Sequence, residues 1–187
     1  RASHAAAKEV IYSYSTSFGL ATRLLAKEFR GHVENIYAMV RVADEIVDGS
    51  AAEAQLAEKG VRPEEMLAEF EAETYKAMEL GYSTNLILHA FAQTARLVGI
   101  RRTIVEPFFL SMRMDLTEKE HDQKSFETYV YGSAEVVGLM CLAVFVHGRD
   151  YSQDQKQTLV SGARSLGAAF QKVNFLRDLA ADFDRLG

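Results

Sequence analysis

Two acid-rich stripes lie near opposite ends of this chain. The first reads Arg41-Val42-Ala43-Asp44-Glu45-Ile46-Val47-Asp48 and the second Gln171-Lys172-Val173-Asn174-Phe175-Leu176-Arg177-Asp178-Leu179-Ala180-Ala181-Asp182. At about 3.6 residues per turn, Asp44 and Asp48 share one face of a helix, with Arg41 one turn before them on the same side. Asn174, Asp178 and Asp182 form a matching line of oxygen ligands. Brought face to face, the two stripes would line a cleft with hard oxygen donors, the kind that hold magnesium ions bridging a diphosphate. Arg41 and Arg177 could fork onto phosphate oxygens beside them.

Spacing alone does not carry that conclusion. With 26 acids among 187 residues, roughly four acid pairs at i,i+4 arise by chance, so either pair alone reads equally as a solvated helix face. Context separates the two readings. Both pairs sit in apolar surroundings, where an inward carboxylate is costly unless paired or metal-bound.

The elements that must position these stripes are helices. Two prolines in the whole chain and Ala-, Leu- and Glu-rich windows point to an all-α protein. Periodicity predicts helices over 5–13, 18–26, 32–48, 64–80, 85–98, 104–117, 126–146, 153–166 and 168–183. Pro63 at a first helical position, Ser125 as a cap, and Thr103 with Glu106 and Ser152 with Gln155 as capping boxes mark starts. Gly60, Gly81, Gly99 and Gly148 mark stops. The length and a 48% hydrophobic content predict one domain over residues 1–187 with one sizeable core. Residues 49–62 read as the loosest segment, a flap or a surface connection.

Several function classes are excluded. A net charge of -5 leaves no basic stripe for nucleic acid. Five scattered histidines lack the HExxH spacing of a zinc hydrolase, and neither a Gly-rich nucleotide loop nor a GxSxG turn appears. The single cysteine, Cys141, rules out a disulfide framework, is compatible with a reducing cytoplasm, and reads as a small buried hydrophobe. No apolar run reaches the roughly 18–20 residues that span a bilayer, and no secretory signal opens the chain, which begins at Arg1. The expected location is therefore cytoplasmic, with peripheral membrane contact compatible with a greasy substrate. Oligomeric state is not legible.

Together the motifs resemble those of the phytoene/squalene synthases, with bacterial phytoene synthases as the nearest type. Tyr14-Ser15-Thr16-Ser17-Phe18, Ile36-Tyr37-Ala38-Met39-Val40-Arg41 and Asp44 to Asp48 are similar to the first signature of that family. Tyr129-Val130-Tyr131-Gly132-Ser133-Ala134-Glu135-Val136-Val137-Gly138 is similar to its mid-chain signature, and the second stripe to its second aspartate motif. The resemblance implies a terpenoid-synthase-type helical bundle around a central cavity. It also implies a prenyltransferase using Mg2+, with Mn2+ the compatible substitute, on prenyl diphosphates. Two departures stand out: Glu45 replaces an aspartate, a change that should be tolerated because the resemblance assigns metal to Asp44 and Asp48, and the family's C-terminal helices are absent.

What the resemblance implies of the chemistry is head-to-head joining of two prenyl diphosphates through a cyclopropyl intermediate. Asp44 and Asp48 would take metal on one side and Asn174, Asp178 and Asp182 on the other, with Tyr37 and Gln171 hydrogen-bonding near the ionising carbon. The remaining wall must be apolar and dry so that water cannot quench a cation. Phe18, Met112, Ala134, Val137 and Gly138 are its candidates, each equally readable as plain packing. Tyr129, which the family places near the site, and Tyr131 read either way. Asp115 reads as a carboxylate paired with a basic side chain. Ser15 and Ser17 would bind diphosphate or cap the helix near Phe18. Thr22, one turn beyond Phe18, is small enough to leave a long channel, which favours geranylgeranyl diphosphate and phytoene via prephytoene diphosphate. The alternatives are squalene or dehydrosqualene synthesis from farnesyl diphosphate, and a non-catalytic helper of the same fold.

Overall fold

The computed structural model describes residues 2–14, 16–49, 60, 62–118 and 121–186, and of these the side chains other than 14, 16–19 and 175–186. Every regular element among them is helical: α1 (Ala2–Tyr14), α2 (Thr16–Leu24), α3 (Lys27–Asp48), α4 (Pro63–Leu80), α5 (Leu86–Val98), α6 (Arg102–Thr117), α7 (Gln123–Val130), a π-helical turn (Tyr131–Glu135), α8 (Val136–Val146) and α9 (Gln153–Leu186). The all-α expectation holds.

Helix α3 is the axis, touching α1, α2, α4, α5, α6 and α8. Its 22 residues hold no proline, and Ile36, Met39, Ala43 and Val47 fall on one buried stripe. Against that stripe pack Leu67 and Phe70 of α4, Leu88 and Phe91 of α5, Phe108 and Phe109 of α6, and Met140 of α8. Each such fully buried side chain stabilises the fold by about 1.5–3 kcal/mol relative to exposure, before conformational entropy is set against it. A polar seam crosses the same bundle. Asn35 Nδ2 donates to Thr94 Oγ1 at 2.9 Å, while His4 and His32 hydrogen-bond to Asn35 and Thr94. Two of the histidines therefore tie α1, α3 and α5 together.

Helix ends follow local chemistry more than the periodic pattern. Ser152 and Gln155 form the reciprocal capping box, and Pro63 starts α4. The α7 cap, however, is Asp122, whose carboxylate accepts from the Ser125 backbone N–H at 2.7 Å. Ser125 is thus inside the helix. Thr103 is also internal, because α6 begins at Arg102 with no side-chain cap. At the end of α2 the guanidinium of Arg30 donates to the carbonyls of Thr22, Arg23 and Leu25 at 3.1, 2.6 and 3.0 Å, which satisfies acceptors that the helix leaves open.

Two corrections come from backbone contact between helices. Residues 153–166 and 168–183 are not separate helices but parts of the 34-residue α9. Gly167 does not stop it. A Cβ there would sit 2.5 Å from the Ala134 carbonyl oxygen, so the glycine serves close approach of α9 to the π turn. The predicted helix over 126–146 is likewise interrupted by that turn, where Gly132 presses on the Pro107 carbonyl and the Ser111 hydroxyl of α6 with no room for a side chain. Because the π turn keeps the rod continuous, Gln123–Val146 is long and apolar enough, by length and composition, to cross a membrane. That revises the expectation that no run is long enough. Here the rod packs against α3, α6 and α9.

Gly167→Ala should therefore destabilise the protein by about 1–3 kcal/mol, since backbone must move to admit the methyl. Gly162→Ala, on the same helix with open space around its Cβ position, should be neutral or stabilising by up to about 1 kcal/mol. Thermal denaturation of the two variants checks this; equal melting shifts would refute the close-approach role of Gly167.

Candidate active site

The last two turns of α3 carry the first acid stripe as the spacing requires. Asp44 and Asp48 share a face, yet Arg41 is already engaged: Nη2 donates to Glu45 at 2.8 Å and Nη1 to Asp44 at 3.5 Å. Glu45 is therefore more than a tolerated replacement, since it holds the arginine more closely than Asp44 does. Gly49 makes this possible, because a Cβ there would collide with the Glu45 carboxylate. Tyr37, half-buried, stands one turn before Arg41 on the same helix.

Two further groups enter from other helices. The Tyr129 hydroxyl donates to Asp115 Oδ2 at 3.2 Å. Asp115 is thus partnered by a phenol; the neighbouring Arg113 instead pairs with Glu71 of α4. The buried Ser111 hydroxyl donates at 3.0 Å to the Tyr129 carbonyl. Ser111 is a residue that sequence reasoning missed, although its position four residues before Asp115 puts both on one face of α6.

The electrostatics show that these carboxyls are crowded. Burial pushes Asp44 up to about 6; Arg41 opposes the rise, and Asp48 and Glu45 add to it. Burial also raises Asp48 against the pull of Arg41. Asp115 goes up to about 7 through burial, with the Tyr129 hydrogen bond pulling down and the charges of Asp48 and Asp44 pushing up. Tyr129 is held above the ordinary phenol range by burial and by Asp115. Carboxyls from α3 and α6 therefore sense one another, while the Arg41 guanidinium partly compensates Asp44 and Asp48. Among the described residues no three His, Cys, Asp or Glu side chains form a ready-made metal cluster. A hard divalent cation nevertheless suits the donor set of Asp44 and Asp48, because it would neutralise the like charges whose crowding raises them.

The second stripe lies on α9, which packs on the π turn and α8. Gln171 is half-buried and Asn174 exposed. The side chains of Arg177, Asp178 and Asp182 lie outside the described residues, as do Ser15 and the side chains of Ser17 and Phe18. Thr22 is buried, 1% exposed.

The candidates for the apolar wall each have packing partners. Gly138 meets α9 closely: a Cβ there would be 2.6 Å from the Ala163 carbonyl oxygen. The Ala134 carbonyl is the surface that Gly167 touches. Met112 belongs to the hydrophobic core, and Val137 packs against it. Tyr131 lies under the Arg164 guanidinium at 5.2 Å, and Arg164 also donates to Glu135 at 2.6 Å. These contacts make the mid-chain signature a packing joint. Cys141 is inert, its thiol pushed by burial up to about 12.

Asp115→Asn isolates one titration. A carboxyl raised in the folded state keeps its proton longer than in the unfolded chain, so its contribution to stability falls as pH climbs from about 4 through about 7. Relative to the parent in metal-free buffer, Asp115→Asn should therefore gain roughly 1–2 kcal/mol across that window after allowance for solvent screening. Urea denaturation at pH 4.5 and 7.5 measures the difference; a constant offset would refute it.

Comparisons with known proteins give the family of the chain. The family model described as squalene/phytoene synthase matches residues 11–187. Phytoene synthase 3 of Zea mays is 31% identical over 180 residues, covering 95% of this chain and 40% of that protein. The 15-cis-phytoene synthase of Pantoea ananas is 28% identical over 170 residues, covering 90% and 53%. A crystal structure of a dehydrosqualene synthase in complex with ligand superposes with a TM-score of 0.76 at 24% identity, over 99% of this chain and 59% of that one. The chain thus spans about two fifths to a half of the curated relatives' length. With the family model matching nearly all of its residues, the chain belongs to the squalene/phytoene synthase family.

Proposed function

We propose that this chain carries the ionising half of a magnesium-dependent prenyltransferase that joins two geranylgeranyl diphosphates head to head, through prephytoene diphosphate, to phytoene. The observation that carries the reading is the crowded carboxyl pair of Asp44 and Asp48 beside Arg41, on a chain similar to several proteins named phytoene synthase.

Departure of an allylic diphosphate separates a carbocation from a strongly anionic leaving group, which is prohibitive in a dry pocket without electrostatic help. Asp44 and Asp48 on one side, and Asn174, Asp178 and Asp182 on the other, would hold magnesium, with manganese as a substitute, to offset that charge. Arg41 would reach phosphate oxygens by exchanging its Asp44 and Glu45 contacts for them, an exchange of like bonds. Arg177 would act likewise from the second stripe. Tyr37 and Gln171 would orient the diphosphate end by hydrogen bonds. The apolar core side chains beneath the acids would exclude water from the cation. The long C20 substrate follows from the small Thr22 beyond Phe18; the C15 reading, toward squalene or dehydrosqualene, is supported by the likeness to a dehydrosqualene synthase fold.

The decisive assay supplies a mixture of C15 and C20 diphosphates with magnesium and no nicotinamide to the full reading frame that encodes these residues, and weighs the hydrocarbon formed. A C40 product is expected; a C30 product would transfer the assignment to farnesyl diphosphate. Asp48→Ala and Asp178→Ala should each lower turnover by at least about 10²-fold with circular dichroism almost unchanged. Activity like that of the parent in either would end the metal reading.

A further inference from the structure

Helix α6 meets Tyr129 twice. Ser111 Oγ, fully buried, donates to its backbone carbonyl at 3.0 Å, and Asp115 Oδ2 accepts from its hydroxyl at 3.2 Å. The two residues are four apart, so one face of one helix grips a tyrosine at both ends of its length. Tyr129 is itself 8% exposed and packs with Met114 and Val130. It ends one residue pair before the π turn, whose Gly132 rests on the same Ser111 hydroxyl.

We propose that Ser111 and Asp115 are positioning residues that act through Tyr129, fixing its ring and hydroxyl, and with them the start of the π turn, on α6. The inference rests on the proposed prenyltransferase reading for its catalytic consequence, though not for its geometry. A phenol has two rotatable torsions, and neither bond alone would settle both. The carbonyl bond holds the backbone from which the ring departs. The Asp115 carboxyl accepts the hydrogen bond of the hydroxyl and so defines where the ring ends. Charge coupling places this assembly beside the α3 acids: Asp44 and Asp48 act on both Asp115 and Tyr129. A tilt of the ring would thus be felt at the site where substrate charge develops, and displacements of about 1 Å there can cost on the order of 10²-fold in rate.

The test is a double-mutant cycle in the full reading frame. Tyr129→Phe and Asp115→Ala should each lower kcat about tenfold with KM for the diphosphate within about twofold, and the double variant should be no slower than the slower single one. A hundredfold loss in the double variant, the product of two independent effects, would overturn the proposal. Asp115→Asn, which keeps an acceptor oxygen, should recover most of the loss. Should Asp115→Ala not fold, Ser111→Ala takes its place in the cycle with the same expectations. A second readout needs no catalysis: the infrared C–O band of Tyr129, isolated as the parent minus Tyr129→Phe difference, should shift in Asp115→Ala and stay near its parent position in Asp115→Asn. An unmoved band overturns the positioning role. A shifted band in a protein that forms no prenyl product upholds that role while the functional reading fails.

Discussion

Backbone touching backbone at the π turn is the constraint on which the rest of this molecule depends. Gly132 lies on α6 at Pro107 and Ser111, and Gly167 of α9 lies on the opposite carbonyl at Ala134. Side chains at either position would wedge the helices apart. Sandwiched in this way, the segment Tyr131–Glu135 takes a wider turn than an α-helix. Such a turn shifts the facing of everything after it relative to everything before it. It therefore lets one continuous rod present Tyr129 to Asp115 at its start and still bury Val136, Met140 and Val144 in the core beyond. Glu135, anchored to the Arg164 that lies over the ring of Tyr131, ties the same turn to α9 from outside.

The acids then acquire their character from that frame. On an isolated helix Asp44 and Asp48 would be ordinary surface carboxylates. With α6 packed on α3, they lose water, gain Asp115 as a neighbour and share Arg41, which itself leans on Glu45. A protein pays for such crowding in stability, and retains it where bound cations relieve it. That logic suits diphosphate chemistry, and it accords with membership of the squalene/phytoene synthase family.

How far the site was legible in the sequence differs residue by residue. The Asp44 and Asp48 pairing on one face follows from the i,i+4 interval. The Ser152 and Gln155 box follows from a purely local motif, as does Pro63 opening α4. Asp115, by contrast, was misassigned to a basic partner because its true one, Tyr129, is fourteen residues away on another helix and only packing joins them. The close approaches at Gly138 and Gly167 were not legible for a related reason. Glycine is the same letter whether it ends a helix, leaves room for a ligand or lets two backbones touch.

Helical periodicity, the near absence of proline and the order of the acid and tyrosine motifs determined by themselves that this chain is an all-α member of its family, since each depends on neighbours within a turn or two. Tertiary structure alone decided that α9 runs unbroken, that a π turn divides the rod, and that Ser111 and Asp115 grip Tyr129. Those outcomes arise from steric exclusion and hydrogen bonding between segments far apart in the chain, and from the loss of water that only their packing brings about.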